Sequence, residues 1–209
     1  MARTKSSGKW LAEHFSDPYV KRAHKEGFRS RAVYKLMEID ERDHVLAPGM
    51  IVVDLGAAPG GWCQYARTRI GSNGVLVALD ILPMEPLAGV TILTGDFSQE
   101  QAVVRLREAI GGRPVDLVMC DLAPNTSGVA SVDQARATGL VEAALWFAAE
   151  VLRPGGLFLA KVFEGAGVPE LRRDLQARFE KLHNRKPKAS RPRSRELYLL
   201  ASGFRGPQA

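Results

Sequence analysis

Up to about residue 45 the apolar residues are spaced as in short helices, and from residue 50 they gather into short unbroken runs. MIVVDLG (50–56) is rich in β-branched residues and ends on a glycine. VLVALD (75–80), GVTILTGD (89–96), VDLVMCD (115–121), LFLAKVF (157–163) and ELYLLAS (196–202) repeat the theme. Apolar runs of this length, bounded by turn residues, predict buried strands. Helical spacing lies between them. GGWCQYARTRI (60–70) stops at GSNG, and SQEQAVVRLREAIGG (98–112) offers Ser98 as N-cap with Gln101 at the capping-box spacing. The segment 131–156 carries one apolar stripe before Pro-Gly-Gly, and a basic helix is expected around 168–182.

Strands alternating with helices imply right-handed crossovers and an α/β fold with a mostly parallel, doubly wound sheet. The predicted organisation is a single domain. A basic N-terminal helical region (1–45), including RSRAVYKLMEIDER (29–42), precedes the α/β core (46–202) and a tail (203–209). Ligands of such sheets bind beyond the carboxyl ends of the strands. The polar residues expected there are Asp54, Asp80, Asp96, Asp121 and Lys161.

The turn after the first run, DLGAAPGGW (54–62), is glycine-rich, so backbone approaches a ligand closely from Gly56 onward. It matches neither G-x-G-x-x-G nor a P-loop, which disfavours a dinucleotide or triphosphate guest. Asp54 beside the turn suits a cationic amino-acid end. Asp80 is placed to accept from ribose hydroxyls, and Asp96 to hold an adenine amine. Together these groups describe S-adenosylmethionine. Asp121 reads either as a capping carboxylate in a plain connection or as part of the site. Lys161 interrupts an apolar run, and two readings compete: a solvated lysine blunting a sheet edge, or an amine working in a cleft.

Composition adds bounds. The 209 residues are 45% hydrophobic and 25% charged, ordinary globular values, with no run long enough to span a bilayer and no apolar segment after the basic N-terminus to make a signal peptide. The two cysteines and four histidines form no metal-ligand spacing, so no metal is expected. A cytoplasmic protein with reduced thiols is expected. The net charge of +6 is unevenly spread: residues 1–35 carry +6, 36–171 carry −8, and 172–195 carry +8. Two basic blocks framing an acidic core suggest a polyanion footprint. The stronger block, RKPKASRPRSR (185–195), reads as a phosphate-contacting or partly disordered loop.

The motifs DLGAAPGGW (54–62), DLAPN (121–125), KVF (161–163) and SRELY (194–198), with FRSRAVYKLMEID (28–40) upstream, resemble the FtsJ/RrmJ family of ribose 2′-O-methyltransferases. The resemblance runs from about Trp10 to Ser202, with five motifs in order. It implies a Rossmann-like methyltransferase fold with a seven-stranded sheet and S-adenosylmethionine as methyl donor. The implied substrate is a uridine 2′-hydroxyl in large-subunit rRNA, modified by a monomer on the 50S particle. The family's catalytic set falls on Lys35, Asp121, Lys161 and Glu196. Its cofactor positions fall on Gly60, Trp62, Asp80, Asp96 and Asp121.

On this reading Lys161 takes or steers the hydroxyl proton, Asp121 serves both cofactor and Lys161, and Lys35 with Glu196 positions the ribose. Tyr34, Tyr198 and Trp10 are candidates to stack on a splayed base or to lie in the core. Rival readings are a tRNA or cap 2′-O-methyltransferase, a non-catalytic RNA-binding assembly factor, and an NAD-dependent oxidoreductase.

Overall fold

The computed structural model describes residues 17–124, 127–191 and 193–206. Helices α1 (Pro18–Lys25) and α2 (Val33–Asp43) precede strand β1 (Ile51–Leu55). Then follow α3 (Gly61–Ile70), β2 (Val75–Asp80), β3 (Val90–Thr94), α4 (Glu100–Ile110) and β4 (Val115–Cys120). Helix α5 (Ala130–Val151), β5 (Leu152–Phe163), α6 (Val168–Arg178), β6 (Phe179–Arg185) and β7 (Glu196–Phe204) complete the order. The seven strands form one sheet, β3-β2-β1-β4-β5-β7-β6, parallel except for β7, which runs antiparallel to both neighbours.

The apolar runs arise because the central strands are covered on both faces. Val53, Leu55, Val77, Phe158 and Ala160 pack against α4, α5 and α6. Their chain neighbours Val52, Leu76, Leu117 and Leu159 pack with Leu36 and Ile39 of α2 and with Trp62 and Ala66 of α3. This two-residue alternation has a chemical consequence. Asp54 and Lys161 fall on the side of α2 and α3, in step with Val52 and Leu159. Tyr198 lies on that side too, directly opposite Lys161 in the β5–β7 register.

Three expectations need correction. Strand β5 lies between β4 and β7, and Lys161 is 8% exposed, so the solvated-edge reading fails. The 168–182 helix stops at Arg178, and Phe179–Arg185 forms β6, one edge of the sheet. Its largely exposed Glu180, Lys181, His183 and Asn184 suit an edge and erase the apolar signature of a strand. Ser98 does not cap α4: its amide and hydroxyl both donate to Asp96 (2.9 and 2.7 Å), and the helix begins two residues later with Gln99 at the N-cap.

The two basic blocks meet in space. Arg185 makes a paired contact with Asp43 at the end of α2 (2.7 Å to each oxygen). The Lys188 amide donates to Glu38 (2.8 Å), and Arg31 bridges Asp17 and the Ala189 carbonyl. Ala189 is buried with Ala23, Val33 and Tyr34. The described part of the 185–195 segment is therefore folded against α1 and α2, and two of its cations, Arg185 on Asp43 and Arg191 on Asp17, serve that docking. No described helix is long and apolar enough to cross a membrane.

Candidate active site

The sheet order reverses beside β1, and there a cleft of about 700 Å³ opens at the carboxyl ends of the strands. Gly56, Asp80, Asp96, Asp121 and Leu122 line it, with Phe97 and Leu140 among its apolar walls. The Asp80 carboxylate is aimed by two backbone donors, Ala58 N–H (2.9 Å) and Leu82 N–H (2.8 Å). Both contacts of Asp96 fall on Oδ1, and these Ser98 donors hold the Asp96 carboxyl below its usual range. Gly56 adopts φ +78°, and a Cβ there would lie 2.8 Å from the Leu122 backbone nitrogen. The glycine thus lets the turns after β1 and β4 touch.

The other loop residues meet the N-terminal region. Gly60 and Gly61 make room for the N-terminal region: a Cβ would meet Arg29 at 3.0 Å and Ser30 at 2.4 Å respectively. Arg29 in turn donates to the Glu85 and Pro86 carbonyls (2.8 Å each), fastening the segment after β2 to this region. Trp62 is buried, donates to the Ala32 carbonyl (2.8 Å) and packs on Tyr198. What Gly61 and Trp62 offer a ligand is backbone. Their N–H groups precede the first bond of α3, from Gln64 N–H to Gly60 O, and such first-turn donors suit a carboxylate.

Asp54 is fully buried under α3 and accepts the Cys63 thiol (3.1 Å). It therefore faces protein, and the expected direct contact with a cationic ligand end is not what the structure shows. Its other oxygen has no partner among the described residues. Burial pushes its carboxyl up to about 7; the Cys63 contact opposes the shift, and Asp121 and Asp80 add to it. An acid that keeps its proton to about pH 7 when folded, and loses it near ~4 when unfolded, contributes stability that is complete below pH ~4. That contribution fades as the pH rises to about 7. Glu196, Asp43 and Asp96 have lowered values, so their contributions are lost only in more acidic solution. Thermal melts between pH 5 and 7 should accordingly fall less steeply for Asp54→Asn than for wild type; parallel curves would contradict this account.

Around Asp121, at the wall of the cleft, the candidates Lys161, Lys35 and Glu196 come together. Lys161 Nζ donates to the Asp121 carbonyl (2.8 Å) and pairs with its carboxylate (3.1 Å). The Tyr198 hydroxyl donates to the same carboxylate oxygen (3.0 Å). Lys35 pairs with Glu196 (2.6 Å), which also accepts from Ser190 (2.9 Å). Burial alone would raise the Glu196 carboxyl; Lys35 chiefly, helped by Ser190 and Lys161, more than reverses this and holds it low. The sequence did not mark Tyr198 as the support of Asp121. Its place two residues from Glu196 and across from Lys161 is the signal that finds it. Tyr198 and Tyr34 are both buried, their hydroxyls committed to Asp121 and Glu26, so neither is free to stack on a base. Trp10 lies outside the described residues. Among the described residues no His, Cys, Asp and Glu cluster could hold a metal.

This arrangement fits S-adenosylmethionine: first-turn amides for a carboxylate, a fixed acid at Asp80 for hydroxyls, apolar walls for a purine, and a paired amine where a methyl would leave. Known proteins are similar over nearly the whole chain. A protein named ribosomal RNA large subunit methyltransferase E, from Alkalilimnicola ehrlichii, is 58% identical over 97% of both chains. Its namesake from Pseudomonas aeruginosa is 56% identical over 99% of this chain and all of its own. The crystal structure of a ribosomal RNA methyltransferase from Plasmodium falciparum superposes with a TM-score of 0.77 at 26% identity, covering 86% of this chain and all of that one. The FtsJ-like methyltransferase model matches residues 28–204, and on these grounds the chain belongs to that family.

Proposed function

We propose that the protein methylates a uridine ribose 2′-hydroxyl in large-subunit rRNA, acting as a monomer on the 50S particle in the cytoplasm. The observation that carries the reading is the Lys161–Asp121 pair at the wall of the cleft, flanked by Lys35–Glu196. The names of the most similar relatives favour large-subunit rRNA over other RNAs.

S-adenosylmethionine supplies an electrophilic methyl on a sulfonium that is its own leaving group. The protein's task is then to align a ribose oxygen with that carbon and keep water out. A hydroxyl at neutral pH is a poor nucleophile until its proton is taken or its lone pair is aimed. Lys161 fills this role, because its amine is held by both the carbonyl and the carboxylate of Asp121. Tyr198 keeps that carboxylate from turning away. Lys35 and Glu196 bracket the position from the other side and orient the ribose hydroxyls. Asp80 and the first turn of α3 fix the donor's ends.

The test is to map 2′-O-methylation in large-subunit rRNA from cells with and without the protein, then add it back with S-adenosylmethionine to particles lacking the mark. One uridine methylation should vanish and return. An unchanged rRNA map with a lost tRNA mark would overturn the substrate.

A further inference from the structure

A second cavity, of about 350 Å³, adjoins the cleft and shares Ala123 and Pro124 with it. Phe163, Pro124, Ala137, Gln134 and Arg195 are among its walls. Phe163 ends β5 two residues after Lys161, half-buried, and Lys161 Nζ sits 5.8 Å from its ring centroid. The backbone that carries the ring is held on both sides. The Gln134 side-chain amide donates to the Phe163 carbonyl (2.8 Å), and the next residue, Glu164, donates its amide to the Arg195 carbonyl (3.0 Å). On the far wall Asp133 fixes Ser127 and Gly128. Arg195 is exposed, and its guanidinium has no partner among the described residues.

We propose that this cavity seats the base of the nucleotide being methylated, stacked on Phe163, with Arg195 donating to its carbonyl edge or adjoining phosphate. The inference rests on the function proposed above. An in-line transfer needs the target ribose beside Lys161, and a base lying on Phe163 is one glycosidic bond from that position. An unstacked base recovers lost stacking on an aromatic face, which is how single-stranded RNA is usually gripped. The cavity on the other flank of Glu196 is walled by Arg31, Lys35 and Arg191 and suits the charged backbone instead. In the sequence a phenylalanine closing an apolar run looks like any other core residue, so LFLAKVF alone does not reveal this role.

Steady-state methylation of particles lacking the mark, with cofactor binding followed by calorimetry, tests the assignment. Phe163→Ala should raise KM for the particle about 10-fold or more, leave S-adenosylmethionine affinity and melting temperature near wild type, and be restored by Phe163→Tyr. Arg195→Ala should raise the same KM. Wild-type KM in Phe163→Ala, or a loss of cofactor binding without a change in KM, would overturn the base site. Failure of the wild-type protein to methylate the particle would instead count against the underlying function.

Discussion

Lys161→Ala is expected to slow methyl transfer by about 10²- to 10⁴-fold, the usual contribution of a positioned proton acceptor, with S-adenosylmethionine binding nearly intact. The separation follows from position. Among the described residues the amine's hydrogen-bond and ion-pair partner is Asp121, and Lys161 is not itself a wall of the cleft, which is lined from the ends of β2, the turns after β1, β3 and β4, and α5. Single-turnover rates at saturating cofactor, with calorimetry on the same samples, measure both halves. Lys161→Arg sharpens the result. A guanidinium keeps the charge and hydrogen bonds but does not give up its proton, so substantial rescue would mean that the residue aims the oxygen and another group takes the proton. Turnover retained in Lys161→Ala would remove the residue from the mechanism altogether.

The second large effect is expected at Gly56. Alanine there pays roughly 1–2 kcal/mol for the left-handed backbone alone. Its methyl would also stand 2.8 Å from the Leu122 nitrogen and 2.9 Å from the Leu122 Cα. These are backbone atoms and cannot swing aside as a side chain can, so the turn after β4 must shift. That turn carries Asp121, hence Lys161, and forms part of the cleft wall. Gly56→Ala should therefore weaken cofactor binding by about 10-fold or more, lower the melting temperature by roughly 5 °C, and slow turnover. The joint loss distinguishes it from Lys161→Ala. Normal cofactor affinity in a folded Gly56→Ala protein would show that the two turns are not coupled as described.

How much of this was readable beforehand depended on whether the signal was local. Strands β1, β2 and β4 announce themselves because burial on both faces demands unbroken apolar runs. Strand β6 did not, because an edge strand with charged residues facing water has the composition of a helix surface. Lys161 was ambiguous until sheet order excluded the edge. Asp54 looked like a ligand contact because sequence shows that an acid ends a strand but not which face it takes; the alternation with Val52 puts it under α3. The docking of the 185–195 block joins residues as distant in sequence as Asp17 and Arg191, beyond any local reading.

The placement of β7 bears on how the protein comes to be made. It is synthesised after the other six strands, yet it lies inside the sheet between β5 and β6. A nascent chain that has already paired β3 through β5 still presents an open β5 edge, a template for unwanted association until β7 emerges. The same strand delivers Glu196 and Tyr198 to Lys35 and Asp121. Assembly of the proposed active site and closure of that edge thus arrive in one late event, when nearly all of these residues have left the ribosomal tunnel.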